Sequence, residues 1–113
     1  MPDSCLFCRI AKGEIPATLV ASDEHNLAFR DINPQAPVHV LVIPRTHVAT
    51  LNDATDAGVL GRLLLTCAAV AKSEGIAESG YRTVINTNAA AGQTVFHVHA
   101  HVLGQRPLAW PPG

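Results

Sequence analysis

Phe96–Gly104 reads FHVHAHVLG, and the placement of this stretch decides the fold. Its histidines alternate with apolar residues, which is the period of a strand and not of a helix. Successive strand side chains point to opposite faces, so His97, His99 and His101 share one face at intervals of about 6.6 Å. Val98, Ala100 and Val102 fill the other, where small apolar residues suit contact with a packed helix. Such a helix is available between Thr50 and Gly75: Val59, Leu60, Leu63, Leu64, Cys67, Val70 and Ala71 recur at three- and four-residue spacing. Arg62, Thr66 and Ser73 lie on its opposite side, Asp53 or Thr55 can cap its start, and Gly75 can stop it. The stripe is wide enough to be covered by the sheet on one side and by a partner on the other.

Working outward, VHVLVIP (Val38–Pro44) is β-branched and apolar, a central strand stopped by Pro44. ATLVAS and HNLAFRDI flank the turn-rich SDEHN as a β-hairpin would, and YRTVIN makes a further strand before the loop TNAAAGQTV. CLFCRIAKG forms a short helix capped by Ser4 and ended by Gly13, with Pro16 keeping the next segment extended. The tail RPLAWPPG cannot be helical. About five strands, mostly antiparallel, with one short and one long helix place residues 1–113 in the α+β class as a single domain.

With 48% apolar and 15% charged residues, the chain has the means to bury a core and no sign of disorder. A net charge of −1 gives no electrostatic case for nucleic acid, although one local pocket can still hold a small anion. MPDSCLFCRIAKGEIP carries polar residues where a signal peptide has its apolar run, and no apolar cluster is long enough to span a membrane. A soluble, cytoplasmic protein is the expectation.

Three aligned imidazoles admit several readings. A polar face that merely uses histidine is the plain one. A three-histidine zinc site with an open position is another, but His101 overshoots His97 by more than about 10 Å unless the strand bulges. The third divides the labour among a metal ligand, a nucleophile and a group that handles protons or phosphate oxygens. Cys5 and Cys8 form a C-x-x-C pair able to hold one ion; His47 and His97 are candidates to complete a tetrahedral, structural Cys₂His₂ set. Two buried thiols on one helical turn is the plain alternative. Cys67, in the apolar stripe, reads as core, and His25 as a solvated turn residue.

HVHAHV, RDINPQAPVHVLVIPRTHV, GYRTVIN, AGQTVFHVHAHVLG and the terminal WPPG together resemble the Hint branch of the histidine triad superfamily, from about Phe7 to Gly113. That resemblance implies an antiparallel sheet with helices, joined two-fold into a homodimer with a continuous sheet. It implies a purine nucleoside phosphoramidase in which His99 attacks the α-phosphorus, and water then cleaves the nucleotidyl-histidine. His101 and His39 are expected at the non-bridging phosphate oxygens, with Gln93 and Thr94 directed toward the leaving group. The resemblance places Asp31 at the ribose hydroxyls and Leu6, Phe7, Phe29 and Ile32 around the base. Asn86 and Gly92 fall near the phosphate and ribose, and Trp110 in a tail reaching toward the neighbouring subunit. It also supports structural zinc on Cys5, Cys8, His47 and His97. Asn88 and Ala91 stand where Hint loops often carry glycine, and Thr94 where serine is common.

Two other activities fit the same residues. Dinucleoside polyphosphate hydrolysis disagrees with the WPPG tail, and nucleotidyl transfer resembles enzymes with glutamine at the third triad position. A nucleotide-binding adaptor with incidental hydrolysis is the rival from outside enzymology.

Overall fold

The computed structural model describes residues 4–113. A short helix α1 (Leu6–Ala11) leads into a hairpin of β1 (Leu19–Ser22) and β2 (Asn26–Arg30), followed by β3 (Val38–Pro44). A long helix α2 (Ala57–Ser73), β4 (Tyr81–Val84) and β5 (Ala100–Gly104) complete the order. The strands form one five-stranded sheet, β1-β2-β3-β5-β4, antiparallel at every pairing. The α+β expectation and the central position of VHVLVIP both hold.

β3 is buried along its whole length, and its two-residue period sorts the molecule into two cores. Val38, Val40 and Val42 point to the side covered by α2, where they meet Leu63, Cys67, Val70, Ala71, Ala100 and Val102. Leu41 and Ile43 point the other way, into a smaller cluster with Phe7, Leu27 and Phe29. His39 shares that second side. Strand pairing sets β3's Leu41 opposite His101 on β5, so the histidines occupy the face away from α2.

Three boundaries differ from the sequence-based expectation. The first turn of α1 is capped by Cys5, whose Sγ accepts from the Cys8 amide at 3.4 Å, and not by Ser4. The long helix starts at Ala57 because Asp56 caps it, with Oδ1 accepting from the Gly58 amide at 2.8 Å. Asp53 is already committed: its Oδ2 accepts from the Thr50 hydroxyl at 2.8 Å, closing a 3₁₀ turn over Leu51–Asp53. β5 begins at Ala100 and not at Phe96, for a reason that lies in the site.

Within α2, Leu63, Cys67, Val70 and Ala71 are buried, as the stripe predicts, but Leu64 is half exposed. Thr66 is no solvent-side residue. Its hydroxyl accepts from the Asn26 side-chain amide at 3.0 Å and ties the helix to β2.

α1 spans six residues, far too few to persist on backbone hydrogen bonds alone. Burial of Phe7 supplies on the order of 2–3 kcal/mol toward holding it on the sheet. On the opposite side, Gly104 closes β5 under Ile76: a Cβ there would lie 2.7 Å from Ile76 Cδ1 and 3.1 Å from Cγ2. Ile76 is fully buried and has nowhere to move. Gly104→Ala is therefore expected to destabilise the fold by about 1–3 kcal/mol, measured by urea denaturation, whereas a loss below about 0.5 kcal/mol would mean this corner is loosely packed.

Candidate active site and metal centre

Cys5 and Cys8 face each other across the first turn of α1, and β3 delivers His47 just past Pro44. With His97 they offer four ligand atoms lying within 4.8 Å of one another. His97 Nδ1 is 3.5 Å from each sulfur and 3.2 Å from His47 Nδ1, and Cys8 Sγ is 3.3 Å from His47 Nδ1. Bonds of 2.0–2.3 Å to a tetrahedral ion separate neighbouring ligands by about 3.3–3.8 Å, so the spacing suits one central cation.

The chemistry of the donors agrees. Nε2 of His97 lies 2.7 Å from the Pro44 carbonyl, which can only accept. The proton therefore sits on Nε2, and Nδ1 turns a bare lone pair toward the thiols, with the outer nitrogen held as metal-binding imidazoles usually are. Burial, with Cys5 beside it, pushes the Cys8 thiol up to about 11, so forming the thiolate calls for a cation. Two thiolates and two neutral imidazoles around a divalent ion sum to zero charge, the condition a buried site favours. The cluster is able to bind a metal. Cys67, likewise raised to about 11 by burial, sits apart in the helix-side core.

The main chain at His97 serves the next histidine. Its carbonyl accepts from His99 Nδ1 at 2.8 Å, and the Val98 amide donates to Val48 O at 2.6 Å. Both groups are thereby withdrawn from the strand ladder, which explains the late start of β5. With Nδ1 protonated, His99 keeps its lone pair on Nε2. Phe7, which lies between the two cysteines in sequence, sets its ring edge-on to His99 with centroids 5.0 Å apart and an interplanar angle of 90°.

Beside His99, His101 Nδ1 stands 2.9 Å from His39 Nε2, and that nitrogen is 3.4 Å from Asp31 Oδ2. Burial holds His39 and His99 below the ordinary imidazole range, opposed by Asp31 for the first and by the His97 carbonyl for the second. Burial, with His99 and His39 adding to it, lowers His101 to about 4. All three rings are neutral at pH 7.

Of the residues expected around a nucleotide, Leu6, Phe7, Phe29, Asp31, Ile32, Thr94, His99 and His101 line one cavity of about 330 Å³. Asp31 Oδ1 is engaged by the Asn33 amide at 2.8 Å, leaving Oδ2 for His39 and the cavity. Ile32 is fully exposed at the rim.

Gln93, Gly92, Asn86 and Trp110 do not line the cavity. Gln93 is buried with its side-chain amide spent on the loop: Oε1 accepts from Asn88 N at 2.8 Å, while Nε2 donates to Ala49 O and Val95 O at 2.9 and 3.2 Å. In this structure its side chain braces the loop. Gly92 adopts φ +86° at the end of a 3₁₀ turn over Ala89–Ala91, and Asn88 adopts φ +66°. Ala91 is spared the left-handed conformation that its position among missing glycines suggested. Trp110 is exposed, away from this chain's own cavity.

Ile10, Pro16, Ala17, Thr18, Arg30, Leu41 and Val95 also line the cavity, beyond the residues to which the sequence points. Ile10 alone carried a signal, four residues beyond Leu6 on one helix face.

A model of the HIT domain matches residues 12–108. The chain is 47% identical over 110 residues to the purine nucleoside phosphoramidase of Escherichia coli K12, covering 96% of this chain and 92% of that protein. It is 49% identical over 113 residues to the 14 kDa zinc-binding protein of Zea mays, covering 96% and 87%. Among solved structures, a HIT family hydrolase from Legionella pneumophila superposes with a TM-score of 0.95 at 53% identity, covering 97% of this chain and all of that one.

Two measurements follow from this geometry. Native mass spectrometry is expected to find one divalent ion per chain in the wild type and in His99→Ala, and none in Cys8→Ala; the reverse pattern would move the ion to the triad. Because His101 titrates near 4 when folded and near 6.5 when unfolded, the unfolded chain binds the extra proton between those values. Stability conferred by the neutral ring is complete above pH 6.5 and is lost as pH falls through this window, at no more than about 1.4 kcal/mol per unit. Urea denaturation from pH 7 to 4.5 should therefore fall less steeply for His101→Gln than for the wild type; equal slopes would refute the depression.

Proposed function

This chain belongs to the HIT family, and from that premise we propose that it is a purine nucleoside phosphoramidase working through a covalent nucleotidyl-histidine. The observation that carries the reading is His99: buried, neutral, held by its Nδ1–H and lining a cavity with apolar walls. An imidazole so held is a nucleophile at neutral pH without a separate base.

The purine would lie among Leu6, Phe7, Ile10, Phe29 and Leu41, covering the exposed Ile32 at the rim. Asp31, acceptor-only as a carboxylate, takes the ribose hydroxyls. His99 Nε2 attacks the α-phosphorus and forms the new phosphorus–nitrogen bond as the phosphoramidate bond breaks. The amine departs with a proton taken from solvent at the open cavity, while the exposed Thr94 hydroxyl is placed to hydrogen-bond the leaving nitrogen. His101, backed by His39, stabilises charge on the non-bridging oxygens. Water then attacks the phosphorus, the phosphorus–Nε2 bond breaks and the water's proton passes to solvent, restoring the imidazole and releasing the nucleoside monophosphate.

Zinc is the ion assigned to Cys5, Cys8, His47 and His97, supported by the mixed thiolate–imidazole donor set and by the kinship to the maize zinc-binding protein. Four protein ligands would leave such an ion no open position, so its part here would be that of a structural clip. A homodimer fits the apolar exposure of Leu64 and Leu65 on α2 and of Tyr81 on the edge strand β4.

With an adenosine phosphoramidate, His99→Ala is expected to lose on the order of 10³-fold or more in kcat while still binding AMP. Acid-quenched mass spectrometry of the wild type should locate a nucleotidyl adduct on His99. Tight AMP binding with no turnover in either protein would instead identify a nucleotide-binding adaptor.

A further inference from the structure

His101 Nδ1 and His39 Nε2, 2.9 Å apart, share one proton, and the ring that owns it is decided further back. The other nitrogen of His39, Nδ1, lies 3.0 Å from the backbone nitrogen of Gln35. An amide N–H only donates, so Nδ1 is the bare nitrogen, and the neutral ring carries its proton on Nε2. That proton points at His101 Nδ1, which must accept, so His101 keeps its own proton on Nε2. Asp31 Oδ2, 3.4 Å from His39 Nε2, favours the same arrangement. The direction of one peptide group thus determines whether His101 offers a substrate a donor or a lone pair.

Gln35 sits in a loop between Pro34 and Pro37, and its carbonyl, in the peptide group that follows the one carrying this N–H, accepts from Arg106 Nε at 3.0 Å. Arg106 also donates to Pro107 O at 3.0 Å, and Arg82 holds the tail beyond it through Leu108 O and Ala109 O, at 3.3 and 2.9 Å. Among the described residues no carboxylate pairs with Arg106. Its guanidinium is spent on main-chain carbonyls, which gives it an orienting role.

We propose that Arg106 is a positioning residue: by holding the Gln35 carbonyl it orients the residue whose own N–H selects the proton position on His39, and so makes His101 present Nε2–H to the phosphoryl group. The consequence for rate rests on the phosphoramidase reading; the proton positions themselves do not. A lone pair turned toward a phosphoryl oxygen would repel charge that the transition state accumulates, whereas a donor stabilises it.

The test uses the metal-replete full chain labelled with ¹⁵N-histidine, because imidazole ¹⁵N shifts distinguish protonated from bare ring nitrogens. The wild type is expected to show Nδ1 bare and Nε2 protonated on both His39 and His101. Arg106→Ala should give averaged shifts on both rings and a kcat lower by about tenfold, with AMP affinity within about twofold of wild type. Arg106→Lys, which retains one donor, should recover most of both. Unchanged spectra in Arg106→Ala would overturn the proposal, as would AMP affinity falling in step with kcat, since that pattern belongs to an arginine touching the nucleotide. Absence of turnover in the wild type would defeat the phosphoramidase reading, while the spectra alone would still decide the role of Arg106.

Discussion

The hydrogen bond from His97 Nε2 to the Pro44 carbonyl governs more of this molecule than its length of 2.7 Å suggests. By fixing the proton, it turns the opposite nitrogen into a ligand facing two thiols and His47. The same residue's carbonyl orients His99, so His97 joins the candidate metal cluster, through its ring, to the His99 imidazole, through its main chain. Phe7 adds a second link, since it lies between the two cysteines in sequence and leans on His99 in space. An ion gripping this turn would therefore influence the cavity without touching anything in it.

Burial does the rest of the electrostatic work. A histidine in water at pH 7 is neutral most of the time, but in a cluster its protonation would compete with that of its neighbours. Here desolvation is the largest influence on His39, His97, His99 and His101, and it acts in the same direction on each. The alternation of β3 makes this possible, because valines at 38, 40 and 42 seal the helix side and leave the other side for imidazoles under an apolar roof.

Much of this was legible from residue types. β-branched runs with a two-residue period located β3, and the six-residue histidine pattern separated the two faces. C-x-x-C with two spare histidines pointed to the cluster that Cys5, Cys8, His47 and His97 form. What escaped notice depended on competition between side chains and backbone. Asp53 looked like a helix cap, but Thr50 reached it first; β5 looked longer, but His99 claimed the carbonyl that would have extended it. The engagement of the Gln93 amide by three backbone groups is of the same kind. The Gln35 peptide left no trace at all, since every residue but proline carries the same N–H.

The unequal size of the two cores has a dynamic consequence. The helix-side cluster joins a long helix to β2, β3 and β5, whereas the smaller one, built on β2 and β3, is closed by Phe7 from a six-residue helix that cannot sustain itself. Such a protein opens in stages, its amino-terminal turn loosening at a free-energy cost well below that of global unfolding. That opening would leave an intact sheet and long helix with no complete cavity, and an ion in the cysteine–histidine cluster would oppose it.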